Sequence, residues 1–566
     1  MGLAHPIQPE GFARWPFVLL PLLATCTAVH AQCVTGQLTP PIQVPGNAFG
    51  IALALDGTEL VVGGQYEAAV FVRTGTDSPL DALDDGWVLQ AELFQPQIGD
   101  KFGWAVGISG DHLVVGAPAT GGFSGPGAAY VFRRVDEGRL GNPADDDWIL
   151  EATLTGLQGI GLNANFGTAA SLDGDLVAVG APTGAVAPGE LPHGLVHVFR
   201  HDDAGTPADP VDDTWIEEAI LEAGDPQFNQ HFGERVDLSG SDLLVGAYNS
   251  APSGAVYHFH ASDAGITASA AGRTWSQIAK IEPPPGDAAP LFGRSLDFDG
   301  QRVLIGAVDR AYLYVLDDNG SPSDPWDDVW VHQFTFAATD TIPSDGFGAA
   351  VGLRGATAMI GAPHHGALAE GAVYMYRELP SSLAGAGTTW QLMTEAGPPV
   401  LAGSQQFGTA VLLAGDQAFA GERGSEVTDA ASVFGAVTVY AFAEEPWTFI
   451  DAALLGGNGE PCLLGAGSLA PGAVVEVNIA DAIASAPAAI VIGLSAALLP
   501  FKGGLLVPAP DLLIGFATNA SGGLELAAHW PASIPFGTVV HVQAWIVDGD
   551  GVSGYAASNG LRIDVP

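Results

Sequence analysis

The residues with the plainest capacity for chemistry are aspartates gathered ahead of tryptophans. One loop reads Asp202-Asp203-Ala204-Gly205, then Asp209, then Asp212-Asp213-Thr214-Trp215. Another reads Asp317-Asp318-Asn319-Gly320, then Asp324, then Asp327-Asp328-Val329-Trp330. Asp145-Asp146-Asp147-Trp148 and the stretch from Asp77 to Asp85 are looser versions. Oxygen ligands at short spacings, with a glycine to permit a sharp bend, are what Ca²⁺ needs. The loops depart from the strict D-x-[DN]-x-[DN]-G spacing. They therefore read either as solvated acidic loops held by Asx turns or as weak Ca²⁺ sites, the loops at 202–213 and 317–328 being the sharpest candidates.

Histidines offer less. His258 and His260 stand two apart on an expected strand and so face one way, but no third ligand is in register with them. His364-His365 reads as a solvated turn. Six tryptophans recur at a fixed place (Trp87, Trp148, Trp215, Trp275, Trp330, Trp390), which suits packing anchors better than a sugar-stacking set. Catalytic signatures are missing: no G-x-S-x-G elbow, no H-E-x-x-H, no phosphate-binding Gly-Lys-Ser/Thr and no paired-cysteine motif. The reading is a protein without catalytic activity.

Composition narrows the partners. The 566 residues carry 63 acidic against 18 basic side chains, a formal charge of -45, which disfavours nucleic acid and anionic lipid as partners. Gly (76) and Pro (40) are abundant, favouring many short strands over long helices. Residues 1–31 read as a signal peptide: Arg14, an apolar core from Trp15 to Ala24, and cleavage after Ala31. Leu23-Ala24-Thr25-Cys26 offers lipidation at Cys26 as the alternative. No later run is long and apolar enough to span a bilayer as a helix. Cys33 and Cys462 are the cysteines left after cleavage and the candidates for a disulfide.

The elements that must position these residues repeat. Seven units open on Phe-Gly, at Phe49, Phe102, Phe166, Phe232, Phe292, Phe347 and Phe407, spaced by 53, 64, 66, 60, 55 and 60 residues. Each opens an apolar run, then a tight turn such as Ser109-Gly110-Asp111. A second run ends in Gly-Ala, as in Val179-Gly180-Ala181-Pro182. A third run comes next, and a fourth is marked by the tryptophan. Four such runs make an antiparallel meander, and runs this continuously apolar are covered on both faces. Seven stacked meanders closed into a ring meet that demand.

The Phe-Gly and Gly-Ala-Pro pattern resembles the FG-GAP repeat of integrin α-subunit propellers and of many exported bacterial proteins, over about residues 33–446. The resemblance implies an all-β fold: a seven-bladed β-propeller of four-stranded antiparallel blades. It also implies an extracellular or cell-surface protein of binding or adhesion type. The calcium loop of integrin propellers lies between the first two strands of a blade. Here those connections are too short to wrap an ion. The strand at Val34–Thr39 is expected to complete the last blade, with Trp447 belonging to the next domain. Domains are expected at 32–446 for the propeller and 447–566 for a small β-sandwich-like C-terminal domain. The latter resembles a terminal domain of large exported proteins of planctomycete-like bacteria. The expected ligand is an extracellular protein or a glycan, a lectin-like propeller and a passive envelope component being the alternatives.

Overall fold

In the computed structural model, the described residues are 33–41, 46–74, 86–94, 100–119, 125–135, 146–156, 164–186, 190–204, 212–262, 273–287, 289–321, 324–379, 389–398, 405–414, 417–424, 434–441, 447–450, 452–466, 469, 472–531, 534–535 and 537–565. The expected signal segment and its lipidation alternative at Cys26 lie outside them.

Seven four-stranded antiparallel sheets account for the chain up to Ala441. Blade 1 is Ala52–Asp56, Glu59–Gly63, Glu67–Thr74 and Gly86–Phe94. Blade 2 is Ala105–Ser109, His112–Ala117, Ala128–Val135 and Asp147–Leu154. Blade 3 is Ala169–Asp173, Leu176–Ala181, Leu195–Asp202 and Thr214–Leu221. Blades 4, 5 and 6 repeat the order within 235–281, 295–336 and 350–396. Blade 7 takes three strands from Phe407–Ala414, Gln417–Glu422 and Ala436–Ala441, and its fourth from Cys33–Leu38 at the other end of the chain. The N-terminal strand therefore closes the ring, and unfastening it would leave blade 7 with a bare edge.

Burial varies with position in the blade. Second strands are covered throughout, Leu176–Ala181 for example, whereas the fourth strand Gly86–Phe94 is mostly exposed. Continuous apolar runs thus sit in the middle of the stack, and the rim strands alternate toward water. In five blades the turn joining the first to the second strand has two residues between strand ends, as from Ser109 to His112 and from Asp173 to Leu176, and in blade 5 it has three, Asp299 to Gln301. Gly110 and Gly174, first of the two, sit at φ 58° and 56°, the sign that a II′ hairpin turn requires. So tight a turn leaves no loop for an ion.

The repeating glycines are where blades touch. Gly180 near the end of one second strand meets the backbone of Gly233 at the start of the next blade. A Cβ at Gly180 would lie 1.9 Å from the Gly233 carbonyl oxygen. The same contact joins Gly63 to Gly103, Gly246 to Gly293 and, across the closure, Gly421 to Gly50. Each Phe-Gly glycine has φ between 84° and 96°, and in blades 1 to 6 it donates its N–H to the Gly carbonyl of its own blade, as Gly167 does to Gly180 at 2.9 Å. The preceding phenylalanines are buried: Phe49, Phe166, Phe232, Phe292, Phe347 and Phe407 have no exposed surface. Phe-Gly and Gly-Ala are therefore two halves of one inter-blade joint.

Residues from Trp447 onward form a separate sandwich. A five-stranded sheet runs Trp447–Ile450, Tyr555–Asp564, Val539–Val547, Pro487–Gly493, Leu512–Ala517. It shares a core with a three-stranded sheet, Trp447, Ile490, Val542 and Leu561 packing against Leu463, Val475 and Ile479. Trp447 opens the first described strand of this sheet. Its carbonyl accepts a buried hydrogen bond from Arg377 Nη1 of blade 6 at 2.9 Å, which fastens the sandwich to the propeller. Cys462 is disulfide-bonded. The other cysteines of the chain are Cys26 and Cys33, and the side chains of both lie outside the described ones.

Candidate functional site

Antiparallel order sorts the loops to two ends of the disc. First-to-second turns and third-to-fourth loops share one end, which therefore carries the acidic loops. Second-to-third loops and the Phe-Gly entries share the other. The two ends differ in charge and in what they can bind.

At the acidic end the structure spends carboxylates on their own loops. Asp317 Oδ1 accepts the Asn319 N–H at 3.0 Å, and Asp318 Oδ1 accepts that of Gly320 at 2.9 Å. Asp324 Oδ1 accepts the Trp326 N–H at 3.2 Å, while Asp327 Oδ2 accepts the Ser321 hydroxyl at 2.6 Å. Asn319 Nδ2 donates to the Asp327 carbonyl. These are Asx turns. Asp328 sits among them with its carboxyl raised by burial and by the charges of Asp327 and Asp318. In the other loop Asp202 caps the Ala204 N–H at 3.1 Å and lies 3.7 Å from Arg200. Asp203 comes directly after the third strand of blade 3, Asp212 precedes its fourth, and Asp209 lies outside the described residues. Asp213 turns away from the loop to His201, its Oδ2 3.5 Å from Nε2.

The tryptophans pin one blade to the next. Trp87 Nε1 donates to Gln417 at 3.0 Å, Trp148 to Gln90 at 2.9 Å, Trp215 to Glu151 at 3.0 Å, Trp275 to Glu218 at 2.9 Å and Trp330 to His258 Nδ1 at 3.1 Å. Three acceptors (Gln90, Glu151, Glu218) stand three residues after a tryptophan, a W-x-x-[QE] signal that a reading of tryptophan as mere apolar packing passes over. His258 and His260 do find a third group. Asp242 Oδ1 lies 2.8 Å from His258 Nε2 and 2.9 Å from His260 Nδ1, supplied by the second strand through cross-strand pairing. His365 is likewise not a solvated turn residue. Its Nδ1 is 3.0 Å from Asp345 Oδ2 and its Nε2 3.4 Å from Glu395 Oε1. Burial and the neighbouring Asp340 push the Glu395 carboxyl up to about 7.

The opposite end holds the ring's central cavity, about 450 Å³, walled by the first strands of all seven blades. Arg235, Arg294 and Arg423 line it, with Thr168, Ser295, Gln406 and Thr409 among the polar groups between them. Among the described residues none of the three arginines forms an ion pair. Arg235 donates only to the Glu234 carbonyl, at 2.8 Å. Burial and the like charge of Arg235 hold Arg294 below the usual guanidinium range. Trp104 completes the wall, with Lys101 Nζ 4.3 Å from its ring centre and Arg423 at 6.0 Å, both cation–π contacts. No spacing in the sequence announces this cluster: Arg235 opens the first strand of blade 4, Arg294 immediately precedes that of blade 5, and Arg423 stands where Pro118 and Pro182 stand in theirs.

A family model of the FG-GAP repeat matches residues 87–132, 215–259 and 330–376. Each match opens on a blade-pinning tryptophan and ends in the third strand of the following blade. The chain carries FG-GAP repeats at these three places, in an all-β fold of four-stranded antiparallel blades. Among the described residues no helix is long and apolar enough to cross a membrane. A search of the curated proteins returned no match.

Proposed function

We propose that this chain is an exported binding protein without catalytic activity, whose propeller receives an anionic group of an extracellular ligand at the mouth of the central channel. The observation that carries the reading is the arginine cluster itself. A chain with 63 acidic and 18 basic residues brings three arginines to one cavity and, among the described residues, gives none of them a carboxylate partner. Guanidinium groups offer planar forks of N–H donors matched to carboxylate, sulfate and phosphate. Confined in a cavity with low-dielectric walls, their field is concentrated where a ligand would enter. A volume of about 450 Å³ suits one small molecule or the end group of a larger one. FG-GAP propellers are often extracellular binding modules, which supports the same reading. In the loop at 317–328 one oxygen each of Asp317, Asp318, Asp324 and Asp327 is held within the loop, so the proposal gives calcium no part.

The test is binding of the full chain to an array holding acidic and neutral glycans together with extracellular proteins of the producing cell. It is run on wild type and on Arg294→Ala/Arg423→Ala. Binding that favours carboxylated or sulfated members and disappears in the double variant is expected. Equal binding by the variant moves the site elsewhere, and selective binding of neutral glycans favours the lectin-like alternative. Absence of any ligand leaves the passive envelope component.

A further inference from the structure

Between blades 2 and 3, three donors from separate strands converge: His112 at the head of the second strand of blade 2, Glu151 in its fourth, and His201 near the end of the third strand of blade 3. One ligand atom from each lies within 4.8 Å of the others. His112 Nε2 is 3.3 Å from Glu151 Oε2, and Asp213 Oδ2 approaches His201 Nε2 at 3.5 Å. Two ligands about 2.0–2.1 Å from a tetrahedral ion stand about 3.3–3.4 Å apart, which is the His112–Glu151 separation, and His201 is within 4.8 Å of both.

A second observation comes from hydrogen bonding. Nε2 of His112, Nε2 of His201, Oε1 of Glu151 and Oδ1 of Asp213 are all buried, and none has a hydrogen-bond partner among the described residues. Buried polar atoms left unpaired are uncommon and costly. Three of these atoms belong to the His112–Glu151–His201 cluster, and all are of metal-ligating types. The surroundings are already fixed: Trp215 Nε1 donates to Glu151 Oε2 at 3.0 Å and its ring packs against both imidazoles. Arg133 Nε stands 3.4 Å from Glu151 Oε1 and is the opposing charge at the site. The pinning tryptophan thereby orients a ligand carboxylate, as outer-shell groups do in metal sites.

We propose that His112, Glu151 and His201 bind a borderline transition-metal ion of the Zn²⁺ type and cross-link blades 2 and 3, with Asp213 beside His201. Two imidazoles with one carboxylate suit Zn²⁺ and its neighbours. They do not suit Ca²⁺, which takes six to eight oxygens. Three protein ligands leave the fourth tetrahedral position to a water molecule.

The experiment uses the full chain freed of metal with a chelator. Adding Zn²⁺ should raise the unfolding midpoint while equal Ca²⁺ or Mg²⁺ does not, because an ion bound only by the native state stabilises it. Co²⁺ should give the intense visible absorption of a tetrahedral site at one ion per chain. His201→Ala should weaken Zn²⁺ affinity by at least about 100-fold, since loss of even an outer partner costs about 10–100-fold. His365→Ala, in the other histidine–carboxylate group (Asp340, His365, Glu395), should leave it unchanged. The Co²⁺ spectrum needs no variant and so stands even if His201→Ala folds poorly. No midpoint shift with Zn²⁺, an octahedral Co²⁺ spectrum, or loss of binding on His365→Ala instead would each overturn the proposal.

Discussion

Glu422→Gln tests how the ring is latched. Glu422 ends the second strand of blade 7, where Ala117 and Ala181 stand in blades 2 and 3. It is 6% exposed, and its oxygens accept from Gln37 Nε2 of the N-terminal strand at 2.9 Å and from Gln405 Nε2 at 3.0 Å. Burial pushes its carboxyl up to about 7 from 4.5, the Gln37 hydrogen bond offsetting only part of the cost. Because the folded value lies above the unfolded one, the folded state binds the proton more tightly. Stability from this group is complete below pH 4.5 and is lost as pH rises through 7. At about 1.4 kcal/mol per pK unit, the gap from 4.5 to about 7 corresponds to about 3 kcal/mol at pH 8.

A glutamine carries no charge to desolvate, but it has one carbonyl where the carboxylate offered two oxygens. One neighbouring amide must flip to accept from it, at a loss of roughly 1 kcal/mol. The variant should therefore be more stable than wild type by about 2 kcal/mol at pH 8 and slightly less stable at pH 4.5. Urea unfolding followed by tryptophan emission at both pH values measures it. The comparison is the difference between variant and wild type, since Glu395 shifts the wild-type profile in the same direction and cancels. A difference that is the same at both pH values would refute the argument, because it would mean that the Glu422 carboxylate is not desolvated in the fold.

Other expectations concern the blade joints and the channel. Gly180→Ala drives a Cβ to 1.9 Å from the Gly233 carbonyl oxygen and should destabilise by about 3 kcal/mol or more, whereas Gly174→Ala, with open space around its Cβ and φ at 56°, should cost about 1 kcal/mol; urea midpoints compare them. Phe232→Ala, emptying a fully buried site between blades 3 and 4, should cost about 3–5 kcal/mol in the same assay. Trp148→Phe removes the pyrrole half of a buried indole together with its hydrogen bond to Gln90, a loss of at least about 1 kcal/mol in the same assay. Arg294→Ala should leave the thermal midpoint unchanged or raise it, because this guanidinium is half-buried beside Arg235 without a carboxylate among the described residues, while ligand binding at the channel falls; a large fall in the midpoint would show that the arginine serves the fold.

Local pattern carried the architecture to the residue. Seven Phe-Gly entries, the Gly-Ala ends and the tryptophans mark strands whose identity depends on near neighbours in sequence, so the blades and the N-terminal closing strand were legible in the chain alone. The acidic loops were legible as acidic, and their Asx turns are local too. The pairings between blades were not. Gly180 meets Gly233, Trp215 reaches Glu151, and His112 comes to face His201, 89 positions away, because stacking sets equivalent strands side by side at separations that sequence spacing does not encode. The same holds for the channel. Arg235, Arg294 and Arg423 look like scattered cations on an acidic chain, and they share a cavity only because the ring closes. Sequence determined which strands form, through periodicity and turn chemistry. Tertiary structure alone decided which side chains meet between blades, since that depends on rotation about the ring axis and not on distance along the chain.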